Sequence, residues 1–86
     1  MLSPGPDTRV YLAVGATDLR KSIDGLAGLV SAALALDPLS AHWFVFCNRG
    51  RDKLKILYWD HNGFWLYYRR LERGRFAWPV TAPSEA

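Results

Sequence analysis

Side chains with a capacity for acid–base, nucleophilic or metal chemistry include Asp18, Asp24, Asp60, Glu72, His42, His61 and Cys47. Metal-assisted phosphoryl chemistry needs carboxylates converging on two ions about 4 Å apart. Asp18, Asp24, Asp60 and Glu72 are spread over expected turns and a helix. Cys47, His42 and His61 form no CxxC or HxxxH pair, whereas a structural zinc site gathers four ligands. They read as a buried strand thiol, a strand-start histidine and a turn histidine. Thr17, Ser22, Ser31 and Ser40 have no matched histidine and acid for a nucleophilic triad. Gly5, Gly15, Gly25 and Gly28 fit neither GxxxxGK[ST] nor GxGxxG. The residues therefore point away from an enzyme, and to no metal, cofactor or small-molecule substrate.

What stands out instead is cationic and aromatic. The net charge is +3, yet the stretch from Arg49 to Arg75 has eight basic residues against Asp52, Asp60 and Glu72, giving +5, and the remainder of the chain carries −2. The eight are Arg49, Arg51, Lys53, Lys55, Arg69, Arg70, Arg73 and Arg75. A localised positive segment is the footprint of a polyanion partner. It is also what protects a solvated sheet edge from aggregation. Interleaved with these cations are Trp59, Trp65, Tyr67 and Trp78. Such rings can stack on single-stranded bases, form a protein-binding hot spot, or build the core of a small domain. Nucleic-acid contact, mainly through phosphates, and a protein-binding face both remain open on these residues.

The elements that must position them can be read from periodicity. Residues 9–13 make a short β-branched and apolar strand. Ile23, Leu26, Ala27, Val30, Ala33 and Leu34 recur at three- and four-residue spacing, which predicts a helix over 22–36 with one apolar stripe. Asp18 and Ser22 are its candidate N-caps. Gly25 and Gly28 weaken it, or let it approach a sheet closely, and Asp37-Pro38 stops it. Residues 42–47 are apolar without alternation, the mark of a strand central in its sheet. Residues 53–59 and 64–71 alternate. Leu54, Ile56 and Tyr58 oppose Lys53, Lys55, Leu57 and Trp59, while Phe64, Leu66, Tyr68 and Arg70 oppose Trp65, Tyr67, Arg69 and Leu71. Asn62-Gly63 between them is a hairpin signal, because both residues tolerate positive φ. Arg73-Gly74-Arg75 predicts a turn, and 76–78 a short fifth strand. The expected fold is α+β: a small antiparallel meander of four to five strands, in the order β-α-β-β-β, with one helix on a face.

A chain of 86 residues is expected to form a single domain, with an ordered core over 9–79 and irregular tails at 1–8 and 80–86. Half of its residues are hydrophobic and 22% charged, so it is globular rather than disordered. No apolar run approaches the ~20 residues of a membrane span. No signal-peptide pattern opens the chain, and a lone cysteine fits a reducing compartment. The expected location is cytoplasmic.

Several segments, taken in order, resemble a known family. They are Arg9–Ala13, Thr17–Lys21, Asp24–Leu26, Phe44–Phe46, Lys55–Asp60, Gly63 and Arg70–Pro79. The set, above all LERGRFAWP after a KILYWD hairpin, is similar to the small second-frame accessory proteins (TnpB-type) of the insertion sequence 66 family of bacterial mobile elements. This TnpB type is distinct from the much longer RNA-guided nuclease of the same name, whose carboxylate site the chain lacks. The resemblance implies a non-catalytic role in DNA transposition beside a larger transposase, and it brings no catalytic residues. The partners it implies are element-end DNA, the transposase, or both, with self-association as a further possibility. Cys47-Asn48 departs from the small or basic residues expected there.

Overall fold

The computed structural model describes residues 5–81; the expectations for 1–4 and 82–86 lie outside them. The elements are β1 (Val10–Leu12), α1 (Ile23–Ala32), β2 (Trp43–Cys47), β3 (Lys53–Asp60) and β4 (Gly63–Arg70). They form one four-stranded open sheet in the order β1-β2-β3-β4, with α1 on one face. The α+β class and the β-α-β-β-β order are as the periodicity implies.

The meander proper is β2-β3-β4, antiparallel throughout. β1 departs from the antiparallel expectation: it pairs with β2 in parallel, Val10 with Trp43 and Leu12 with Val45. The reason is the connection. Neighbouring parallel strands need a crossover of a dozen or more residues, usually helical, and α1 lies in the one between β1 and β2. Residues 76–78 form no fifth strand, so the sheet stops at four.

The core follows from the strand alternation. Phe44 and Phe46 of β2 share a face with Leu57 of β3, and all three are fully buried. Leu26 and Val30 of α1, also fully buried, close over them together with Ala13. Each large apolar side chain removed from water in this way contributes roughly 1.5–3 kcal/mol. β2 is the interior strand that its unbroken apolar run predicts. Val45 and Cys47 are buried on the face away from α1.

Three details of the sequence reading change. The helix is shorter than 22–36. Ala35 takes a left-handed φ of 53°, and the Leu36 N–H turns back to Val30 O (3.0 Å), so the helix ends ahead of Pro38. Gly25 and Gly28 do not serve a close approach to the sheet. Both are exposed, and a Cβ at Gly28 would meet nothing within 4 Å. In the β3–β4 hairpin Asp60 pairs with Gly63, so the two-residue loop is His61-Asn62, not Asn62-Gly63. His61 carries the positive φ of 57° there.

Candidate functional site

The β2–β3 turn, the open end of the β3–β4 hairpin and the segment after β4 meet at one end of the sheet. Asn48 organises the β2–β3 turn. Its Oδ1 accepts the N–H groups of Asp52 (3.1 Å) and Lys53 (3.0 Å), and its Nδ2 donates to Asp52 Oδ1 (2.7 Å). The Arg51 N–H donates to Asn48 O at 3.1 Å, and Arg51 adopts a φ of 59°. This amide bridge is the largest influence holding the Asp52 carboxyl below its ordinary pKa.

The LERGRFAWP segment is a strap tied to that turn. The Leu71 N–H donates to Asp52 O (2.7 Å) and the Phe76 N–H to Arg51 O (2.6 Å). Between these anchors Gly74 takes a φ of 77°, open to glycine without steric penalty. Farther on, Trp78 Nε1 donates to Ala13 O and Gly15 O, both at 3.1 Å, and the Gly15 N–H donates to Pro79 O (2.9 Å). The signature thus lashes the segment after β4 to the β1–α1 loop and to the basic turn.

This arrangement gathers seven of the eight sequence-designated cations. Arg49 and Arg51 stand on the β2–β3 turn. Lys53 opposes Arg70, and Arg69 follows at the end of β4. Arg73 and Arg75 project from the strap, between its two anchors. The carboxylates at the same end are Asp52, 3.7 Å from Lys53, and Glu72, 2.7 Å from Arg70. Among the described residues Arg49, Arg51, Arg69, Arg73 and Arg75 make no ion pair, and all five are exposed.

Lys55 belongs elsewhere. Its ammonium donates to Leu19 O (2.6 Å) and Lys21 O (2.9 Å) and lies 5.8 Å from the centre of the Tyr68 ring. It pins the approach to α1 onto the sheet. The candidate aromatics also separate. Trp59 packs edge-to-face on Phe64 (centroids 5.0 Å apart) at the far end of the hairpin. Trp65 and Tyr67 stack on each other at 5.9 Å on the face opposite α1, with Trp65 half exposed. Trp78 is the strap's anchor.

Sequence reasoning overlooked two participants. Asn48 is the hinge of the basic turn, signalled only by an asparagine four residues before an aspartate. Arg20 is almost fully exposed and lines a shallow groove of about 620 Å³ together with Asp18, Arg49, Lys53, Lys55 and Tyr68. Asp18 grips Arg20 through Nη2 (2.8 Å) and Nε (3.0 Å) and accepts the Arg20 N–H (3.0 Å). These bonds hold its carboxyl down to about 2. At the end of β2, burial pushes the Cys47 thiol up, which suits an inert packing residue rather than a nucleophile. Among the described residues no three His, Cys, Asp or Glu side chains converge as metal ligands, and no helix is long and apolar enough to cross a membrane.

The chain is similar to known sequences over nearly its whole length. A family model described as IS66 Orf2 like protein matches residues 8–86. Two relatives from Sinorhizobium fredii, the uncharacterized proteins y4hO and y4jC, are 43% and 37% identical over 79 residues. Those alignments cover 92% of this chain and 69% and 68% of the relatives. No solved structure matches it. The extent of the family match leads to one conclusion: the chain belongs to the IS66 Orf2-like family of insertion-element proteins, and its role is an accessory one associated with transposition.

Proposed function

We propose that the chain is a non-catalytic transposition factor that holds DNA, or a DNA–transposase assembly, against the basic end of its sheet. The observation that carries this reading is the convergence of Arg49, Arg51, Lys53, Arg69, Arg70, Arg73 and Arg75 on that end, five of them free of ion pairs among the described residues. Guanidinium groups on a turn and a strap can follow a phosphate backbone without reading bases, which positions a protein on DNA rather than specifying sequence. The groove lined by Arg20, Arg49 and Lys53 extends the same cationic surface.

Fluorescence anisotropy with element-end duplex DNA tests this. Binding should weaken steeply as salt rises, since each neutralised phosphate contributes a slope of about −0.9 in log K against log salt. Absence of binding at tens of micromolar protein in low salt would exclude direct DNA contact.

A second reading is favoured by the face opposite α1, where Val10, Leu12 and Trp65 are about half exposed. On it the chain would be an adaptor that docks the transposase through this aromatic face. Co-purification with the transposase, lost on Trp65→Ser and retained in high salt, would single it out. Retention of the complex in that variant would count against it.

A further inference from the structure

We propose that β4 is a self-association edge, and that two copies of the chain pair β4 to β4 about a two-fold axis through Leu66. This goes beyond DNA contact and does not depend on it. β4 is an edge strand of eight residues with an uninterrupted register on its inner side. It has no proline and no bulge, and its two charges, Arg69 and Arg70, sit together at one end, so the stretch from Gly63 to Tyr68 lacks the usual protections of an edge.

The hydrogen-bond phase fixes which backbone groups are free. The Leu71 N–H reaches Asp52 O, which extends the β3–β4 ladder by one step. Antiparallel pairing alternates, so odd-numbered β4 residues bond inward to β3. The N–H and C=O groups of Phe64, Leu66, Tyr68 and Arg70 point outward. Among the described residues no hydrogen bond outside the ladder reaches the β4 backbone. A second β4 can bond these groups only if even residues meet even ones, which also keeps the α1 sides of both sheets on one face.

Charge then selects among the allowed registers. Asp60 and Arg69 stand at opposite ends of the hairpin on the same face, because Asp60 pairs with Gly63 and Leu54 with Arg69. Neither makes an ion pair among the described residues. With Leu66 opposite its own copy, Arg69 lies opposite Gly63 of the other copy, and beyond that glycine stands Asp60. Two strand spacings, about 9.6 Å between Cα atoms, separate Arg69 from this Asp60. The row is open because Gly63 has no side chain, and its Cβ position meets nothing within 4 Å. Both side chains can therefore close the gap, twice by symmetry. The same register sets Trp65 against Tyr67 of the other copy on that face. Sliding by two residues either way places Arg69 opposite Trp65 or past the end of the strand, and both ion pairs are lost.

Sedimentation equilibrium on the full chain, from low micromolar to ~500 µM, tests the proposal. The expected result is a dimer of twice the 9.7 kDa chain mass. Asp60→Lys and Arg69→Glu should each weaken it by about tenfold, and the Asp60→Lys/Arg69→Glu exchange should restore it. Tyr68→Pro removes an outward N–H without touching the inner ladder and should abolish the dimer while leaving the far-ultraviolet dichroism unchanged. A wild-type monomer across the range, or a dimer indifferent to the single charge reversals, overturns the proposal.

Discussion

The Asn48 side chain donates to Asp52 Oδ1 over 2.7 Å while its own Oδ1 accepts two backbone N–H groups. One amide thus shapes the β2–β3 turn, and the turn's carbonyls at Arg51 and Asp52 in turn receive the strap. Asn48→Ala should remove all three bonds and leave part-buried groups without partners. A loss of about 2–3 kcal/mol is expected, which for a chain of this size lowers the melting temperature by roughly 10–20 °C. Asn48→Asp should recover part of it, because a carboxylate can still accept from the two N–H groups but cannot donate to Asp52. Calorimetry on the pair of variants reads this directly.

Trp78 makes its contribution through one nitrogen. Trp78→Phe keeps most of the packing and deletes the two hydrogen bonds to Ala13 O and Gly15 O. A destabilisation of about 1–2 kcal/mol follows, and hydrogen exchange at the Gly15 and Phe76 amides, which anchor the strap, should accelerate. If those amides are unaffected, the strap is held by other contacts. Aromatic residues in the family signature then act through this frame, and a binding role for Trp78 would be secondary.

Much of this architecture is legible in the residues, because the sheet's inner and outer faces impose period-two patterns on β3 and β4, and the stripe of α1 repeats every three to four residues. What the pattern hides is long-range. The direction of β1 depends on where the helical crossover returns it. Residues 76–78 have strand-like composition, but their hydrogen bonds go to turn and loop carbonyls instead of a neighbouring strand. Lys55 alternates like an exposed cation, yet its ammonium ends among the carbonyls of Leu19 and Lys21, 36 and 34 residues away. Gathering the arginines at one end likewise needs the hairpin register, which composition does not contain.

Gly28 illustrates an opposite case, a residue whose helix penalty buys no packing. It is exposed in α1, and a Cβ there meets no atom within 4 Å. Gly28→Ala should stabilise the chain by about 1 kcal/mol by restricting the unfolded backbone and favouring the helix. Chemical denaturation should show a higher midpoint at an unchanged slope.

Asp18 and Arg20 give a pH signature. The folded carboxyl titrates at about 2, below its ordinary 3.8, because Arg20 hydrogen-bonds its charged form. A lowered folded pKa means that the interaction supports the loop fully above pH 3.8 and is lost as pH falls towards 2. Carboxyl-carbon NMR should place the Asp18 midpoint near 2 in the wild type. Arg20→Ala should bring it back towards 3.8.

The cations divide into two kinds, and variants should separate them. Lys55 donates two charge-assisted bonds to loop carbonyls. Its replacement by Met should cost about 2 kcal/mol of stability and leave the salt dependence of DNA binding unchanged. Arg73 and Arg75 are exposed on the strap without ion pairs among the described residues. Arg73→Ala with Arg75→Ala should leave the melting temperature within about 2 °C, yet reduce the slope of log K against log salt by roughly 2. Measured side by side, the two variants tell structural charge from contact charge. A loss of stability in the arginine pair, with an unaltered slope, would assign the basic end to folding alone.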